Sequence, residues 1–280
     1  SQVILLYFFK TKYYNYLKII ISPLIALPHI TMAIGLIFLL SPSGLLLRSV
    51  SPWLTGFERP PNTYIFPDEY GFILILGLIL KEIPFLILVS LSALREFSSS
   101  KFFDMGKSLQ HSSFSTWFIL IFPIIYKKIR LVIFIIIAFS SSVVDMSLLL
   151  APSTPSTLSV RILQIFQSSD MDSFFIASNL SLIQLFIIII LLIVWIFFEK
   201  IIKLKFFYIF FIKITSFKSE FLKITISCFN IILFLLSFMG IICSILWGFS
   251  ENWYFPNFFP NDLNIENFLN FYYQNKSLIF

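Results

Sequence analysis

The chain has 280 residues, of which 58 % are hydrophobic and 12 % are charged, and its mean hydropathy is +0.93. Soluble globular proteins carry charge on about 25 % of their residues, so this composition excludes an ordinary water-soluble domain and indicates a membrane protein. The net charge of +6 would also suit a nucleic-acid-binding protein. The positions of the basic residues distinguish between these two interpretations.

Apolar stretches that are long enough to cross a bilayer, which takes about 20 residues, follow one another along the chain. The first run, at 3–9, has no basic leader and no cleavage site, so we expect it to be the end of a truncated helix. Five stretches are predicted to be complete spans: Ile19–Leu40, Tyr70–Leu94, Ile129–Leu150, Ile176–Phe198 and Ile224–Phe249. We therefore predict an all-α polytopic membrane protein with about five complete transmembrane helices plus the truncated N-terminal one.

The basic residues lie mostly in alternate connecting segments. The segments at 10–18, 95–128 and 199–223, with Arg130 at the border of the second, hold fifteen of the 20 Lys and Arg residues. Cationic loops translocate poorly, so these three segments are predicted to be cytoplasmic. Since the lysines border spans and no DNA- or RNA-binding motif accompanies them, we interpret the net charge as a topology signal and predict no nucleic-acid partner.

The long segment at 95–128 has a pattern of its own. A serine among residues 98–100 can cap a short helix that continues to about Leu109, and a turn follows at 111–113. A second amphipathic helix leads to Pro123, where the chain bends into the next span. This helix–turn–helix is too polar to cross lipid and too apolar to remain free in water. The pattern alone leaves open whether it docks on a partner or only lies on the membrane surface.

The spacing of this segment resembles the cytoplasmic EAA loop of permease subunits in binding-protein-dependent ABC importers. The family pattern is Glu-Ala-Ala, three residues, Gly, nine residues and then Ile-x-Leu-Pro. Asp104-Met105-Gly106 takes the Glu-Ala-Ala place and Leu120-Ile121-Phe122-Pro123 takes the closing place. Gln110 takes the Gly place and departs from the family, because Gly there would permit a positive-φ turn that Gln resists.

Further motifs resemble one branch of this family, the two-repeat permeases grouped with thiamine, iron and sulfate importers. They are Pro28-His29, Ser41-Pro42-Ser43-Gly44, Ser51-Pro52-Trp53-Leu54-Thr55-Gly56, Arg59-Pro60-Pro61, Lys81-Glu82-Ile83-Pro84-Phe85, Ser142-Val143-Val144-Asp145 and Trp253-Tyr254-Phe255-Pro256. The resemblance implies that residues 1–223 are an N-terminally truncated first permease repeat and that residues 224–280 begin a truncated second repeat.

The resemblance also implies partners, a location and residue roles. Family members sit in the bacterial inner membrane and pair two permease domains with two cytoplasmic ATPase domains and an external solute-binding protein. ATP would then be hydrolysed on a partner subunit; this chain would bind no cofactor and would be no enzyme. Its 98–123 loop would seat a short helix in a cleft of the ATPase. The residues implied for this coupling are Asp104, Met105, Gly106, Ser108, Leu109, Gln110, Phe114 and Pro123.

Three charged residues fall inside predicted spans: Lys81 and Glu82 near the middle of one, and Asp145 in the outer half of the next. A charge at the bilayer centre costs ~2.5–3.5 kcal/mol on insertion scales, so such residues usually face protein or water. We hypothesise that Lys81 contacts Asp145 between helices and that Glu82 faces the translocation path or another partner. The alternative is that all three only set helix packing and register. No metal site is predicted, because neither histidine has other ligand-type residues at metal spacing.

A second interpretation from another class stays open. The Phe- and Ile-rich composition also suits a passive multi-pass structural subunit of a respiratory or membrane-assembly complex. The 104–123 spacing separates the two interpretations, since a passive subunit has no need of a docking helix.

Overall fold

The computed structural model of the chain describes residues 5, 14–62, 68–96, 99–108, 113–168, 170–202, 216–265, 269–270 and 273–274. In these residues the secondary structure is mostly helical. The helices are α1 Tyr14–Ala26, α2 His29–Leu40, α3 Leu45–Val50, α4 Phe72–Arg95, α5 Ser99–Ser108, α6 Ser113–Thr116, a π-helical turn Trp117–Ile121, α7 Phe122–Ser142, α8 Asp145–Leu150, α9 Leu158–Phe166, α10 Met171–Ile201 and α11 Ser216–Phe249. One antiparallel pair joins strands β1 Ser250–Asn252 and β2 Asp262–Leu263.

Four segments of the described chain are long and apolar enough to cross a membrane: His29–Val50, Phe72–Arg95, Met171–Ile201 and Ile224–Phe249. Helices are the expected form, because the hydrocarbon core offers no water to backbone N–H and C=O groups, which must pair within the chain. The prediction of an all-α polytopic membrane protein is confirmed. The predicted stump at 3–9 lies outside the described residues, apart from Leu5.

The stretch Ile129–Leu150, predicted as one continuous span, is divided. Helix α7 begins at Phe122 and ends at Ser142, the backbone at Val143 is extended, and α8 starts at Asp145. Asp145 is an acidic residue in the first turn of α8, where the helix dipole favours a negative charge, and its carboxylate accepts the amide of Met146 at 2.9 Å. Basic residues in the first turns of α7 also make it less apolar than the four candidate spans.

The stretch Ile19–Leu40 is divided too, at Leu27 and Pro28, between α1 and α2. Proline has no N–H to donate to the carbonyl four residues earlier, and the residue before a proline disfavours the helical conformation. The predicted end of this stretch at Leu40 agrees with the structure, as does Tyr70–Leu94 to within two residues. Helix α10 extends beyond the predicted Ile176–Phe198 at both ends.

The chain divides into two compact units. The first comprises Ser1–Ala26, Leu78–Val144 and Ser156–Phe234. Its core is apolar and fully or nearly fully buried, with Ile87, Leu91 and Leu94 of α4, Phe103 of α5, Trp117 and Ile121 of the π-helical turn, and Ile125 and Ile129 of α7. Helix α5 and the π-helical turn therefore pack on the second half of α4.

The second unit comprises Leu27–Gly77, Asp145–Pro155 and Leu235–Phe280. Its helices α2 and α11 approach closely at two glycines: a Cβ atom on Gly35 would lie 2.5 Å from the carbonyl oxygen of Gly240 and 2.9 Å from the hydroxyl of Ser244. Small residues of this kind allow two backbones to approach in a membrane. The predicted repeat boundary between residues 223 and 224 falls within α11 and stays a prediction.

We expect Gly35→Ala to destabilise the full-length protein by about 1–3 kcal/mol, because the new methyl group meets backbone rather than a flexible side chain. Gly248→Ala is the matched control, since nothing lies within 4 Å of a Cβ atom there. Alanine favours a helix over glycine by about 1 kcal/mol, so the control should be neutral or stabilising. Thermal unfolding in detergent measures both variants, and equal shifts would contradict the close crossing.

Candidate functional site

Helix α5 has an exposed and a buried side. Asp104, Met105 and Ser108 are exposed, whereas Phe103 and Gly106 are buried. The exposed residues lie at i, i+1 and i+4, which places them on one side of the helix. A carboxylate, a thioether and a hydroxyl thus remain accessible to a partner, although the Ser108 hydroxyl also donates to the carbonyl of Asp104 at 3.0 Å.

Gly106 does not lie on the exposed side with Asp104, Met105 and Ser108. A Cβ atom there would lie 2.5 Å from Cγ2 of Thr116 and nearer still to its hydroxyl oxygen. Thr116 itself is 2 % exposed. The missing side chain of Gly106 therefore allows α5 to pack against α6, and Thr116 is a partner that the sequence pattern did not indicate.

The buried side of α5 is anchored by Trp117, whose side chain is 0 % exposed. Its ring lies 6.3 Å from the ring of Phe103 between centroids, with an angle of 31° between the planes. At the end of the π-helical turn the amide of Phe122 donates to the carbonyl of Trp117, five residues back. Pro123 follows in the first turn of α7, where its missing N–H is tolerated.

Three further predicted coupling residues are only partly covered by the structure. Phe114 lies in the short helix α6. Leu109 and Gln110 lie outside the described residues, so the turn expected at Gln110 stays a prediction.

The ammonium group of Lys81 occupies a site that the sequence did not indicate. It is 7 % exposed and donates to the carbonyls of Leu24 and Ile25 at 3.1 and 2.9 Å. These are among the last carbonyls of α1, and the helical donor to Leu24 would be Pro28, which has no N–H. A cation at a helix C terminus is also favoured by the helix dipole. Lys81 thus satisfies the carbonyl end of α1.

The other two charged residues of the predicted spans lie on different helices. Glu82 is half-buried on α4, and Asp145 is half-buried at the start of α8. The contact between Lys81 and Asp145 and the pathway role of Glu82 stay predictions.

Arg48 is a buried cation of the second unit that the sequence analysis did not single out. Among the described cations of that unit it makes the most hydrogen bonds. It is 2 % exposed and donates to four backbone carbonyls: Ser43 at 2.7 Å, Tyr254 at 2.9 Å, Asn257 at 3.0 Å and Trp253 at 3.3 Å. Its guanidinium also lies over the rings of Trp247, Trp253 and Phe255. The aromatic density at 247–255 is the one signal that could have pointed to a buried cation. Arg48 thereby holds the 253–257 loop on α3.

A second polar cluster that the sequence analysis missed joins α7 to α10 in the first unit. Glu199 is 6 % exposed and accepts from Arg130, whose Nη2 lies 2.8 Å away, and from the hydroxyl of Tyr126. The indole of Trp195 donates to that hydroxyl at 3.0 Å. Burial, together with the hydrogen bond to Glu199, raises the pKa of Tyr126 to about 12, so its hydroxyl stays protonated and donates. The available signal was that Glu199 is one of only two acidic residues in the lysine-rich segment 199–223.

One curated protein gives these sites a context. A stretch of 149 residues is 30 % identical to the inner membrane ABC transporter permease protein YnjC of Escherichia coli (strain K12). This chain is similar to an ABC transporter permease. The match covers 53 % of the chain and 27 % of YnjC, so it spans about a quarter of that relative. No family model and no solved structure matches the chain. The similarity agrees with the permease resemblance of the 104–123 spacing, and the two-repeat branch stays a prediction.

We expect Lys81→Leu to lower the free energy of unfolding by about 1–2 kcal/mol, because two buried carbonyls lose a donor. Lys81→Arg keeps donors and a charge and should lose less. Unfolding of the full-length protein in mixed micelles measures both. Adding Asp145→Ala should not restore the stability of Lys81→Leu; a clear rescue would make Asp145 the main partner of the lysine.

We expect Gly106→Ala to separate α5 from α6, since the methyl group enters the space of Thr116, at a cost of about 1–3 kcal/mol. Thr116→Gly in the same chain removes the clashing atoms and should recover part of the loss. Limited proteolysis of the loop in membranes follows the separation. Protection as strong in Gly106→Ala as in the wild type would contradict the packing.

Proposed function

We propose that the chain is a transmembrane permease subunit of an ABC importer in the inner membrane, and that it couples to a cytoplasmic ATPase through its 98–123 loop. The observation that carries this proposal is the two-sided helix α5. Its inner side is buried against Trp117 and Thr116, and its outer side exposes Asp104, Met105 and Ser108. The similarity to YnjC supports the permease class and the membrane.

The packing of the loop suits the transmission of movement. Because Phe103 and Trp117 share one core with Ile87 and Leu91 of α4, displacing α5 by itself would break a close-packed core. Movement of such a unit as a rigid body is the lower-cost response. The π-helical turn and α7 follow α6 in the chain without an intervening loop, so the same displacement reaches the start of α7.

The partners follow from this role. ATP would be bound and hydrolysed on the ATPase subunit, with the chain itself acting as no enzyme and binding no cofactor. A periplasmic or extracellular solute-binding protein would deliver the solute, and the bilayer would surround the apolar helices. Glu82 and Asp145 are the residues that we propose for the pathway. A passive structural subunit would need no exposed polar face on an anchored cytoplasmic helix, which is why we favour the permease.

We expect Asp104→Arg to weaken binding of the ATPase about tenfold. The substitution replaces the negative charge of Asp104, the one carboxylate on the exposed side of α5 in the described residues, with a positive charge. The measurement is the amount of ABC ATPase subunit that co-purifies with the tagged full-length chain from its own membranes. Arg161→Asp, a charge reversal of equal size at an exposed position of α9, is the matched control and should retain the ATPase. The proposal fails if the wild type retains no ABC ATPase, or if Asp104→Arg retains as much as the control.

A further inference from the structure

Two pairs of residues with helical i, i+4 spacing face each other at one end of α7 and α10. Tyr126 and Arg130 lie on α7, and Trp195 and Glu199 lie on α10; we name these four residues the α7–α10 clamp. Arg130 Nε lies 2.9 and 3.0 Å from the two carboxylate oxygens of Glu199, and Nη2 adds a contact of 2.8 Å. Tyr126 donates to the same carboxylate and accepts from the indole of Trp195. The clamp is thus a network in which each member has a partner on the opposite helix.

The rest of α10 gives little other reason for it to stay beside α7. None of the residues in the most apolar stretch of α10 is buried. Lipid tails are as apolar as leucine, so exposed apolar side chains do not drive two helices together in a bilayer. Gln184 adds one hydrogen bond of 3.4 Å to the carbonyl of Ser141. Between α7 and α10, the clamp is the strongest polar contact in the part of the chain that the structure describes.

The position of the clamp on α7 links it to the 98–123 loop. Tyr126 and Arg130 follow Pro123 by three and seven residues, within the first turns of α7. A displacement that reaches the start of α7 therefore reaches the clamp before the rest of the helix. A buried carboxylate that loses its cation is strongly unfavourable, so Glu199 resists separation from Arg130.

We propose that the α7–α10 clamp makes α7 and α10 move as one body, and that Arg130 and Glu199 are positioning residues that pass movement of the 98–123 loop to α10. The second half of this inference rests on the proposed permease function. The first half, the rigid link between the helices, does not.

The test is a distance measurement by pulsed electron paramagnetic resonance on the full-length protein in nanodiscs. Spin labels replace Ile135 on α7 and Ile190 on α10, which are both exposed, in a background without reactive cysteines. In Glu199→Gln the distance distribution should widen about twofold, because the helices then sample separate positions. The double variant Arg130→Glu with Glu199→Arg should narrow it again. Lys127→Gln, which removes an exposed charge beside the clamp, is the control and should match the wild type.

Tyr126→Phe removes the hydrogen bonds to Glu199 and Trp195 but keeps the ion pair of Arg130 with Glu199, so it provides a milder variant if Glu199→Gln fails to fold. It should widen the distribution to a smaller extent. An unchanged width in a folded Glu199→Gln or Tyr126→Phe variant would overturn the rigid link.

The same label pair separates this inference from the proposed function. With the ATPase bound, the wild-type distance should be equal in the ATP-free and vanadate-trapped states, and in Glu199→Gln it should differ between them. A wild-type distance that changes between the states overturns movement as one body. If no ATPase binds the wild type, the proposed function fails together with the transmission role. The width of the distance distribution measured without ATPase still tests the rigid link between α7 and α10.

Discussion

The structure depends on how backbone carbonyls are satisfied where helices stop inside an apolar chain. Lipid offers these groups no hydrogen bonds, so the chain must supply the donors itself. In the first unit Lys81 donates to the last carbonyls of α1, at the place where Pro28 removes the helical donor. In the second unit Arg48 donates to four carbonyls of the segments that flank α3 and follow α11. In each unit a buried cation therefore bonds to backbone carbonyls, at the end of a helix for Lys81 and mostly in a loop for Arg48.

This view changes the meaning of charges in the apolar stretches. An intramembrane lysine is by default a candidate for a transport pathway or an ion pair. The hydrogen bonds that Lys81 donates to the carbonyls of Leu24 and Ile25 give it a structural role. The function that we propose rests instead on α5, a helix anchored by Trp117 on which Asp104, Met105 and Ser108 are exposed. A helix with a polar exposed side and a close-packed buried side can bind a partner and move with its core as a rigid body.

Much of the candidate site could be read from spacing, and some of it could not. The helix at 99–108, the entry of Pro123 into α7 and the accessibility of Asp104 follow from local pattern. The orientation of Gly106 does not, because a glycine can lie on either side of a helix and only Thr116 shows which side is crowded. The role of Glu199 could not be predicted from its neighbours in the sequence, because its partners Arg130 and Tyr126 lie about seventy residues away on another helix.

The sequence by itself determined the class of the protein: low charge and long apolar stretches lead to a polytopic helical membrane protein, whatever the details of packing. It also located the helix at 99–108, because capping and amphipathic spacing act over a few residues. Only the tertiary structure decided that helices break at Pro28 and Val143. It alone showed that Lys81 donates to the carbonyls left unpaired before Pro28. It alone revealed the roles of Lys81, Arg48 and Glu199, because each depends on groups brought close by folding and not by position in the chain.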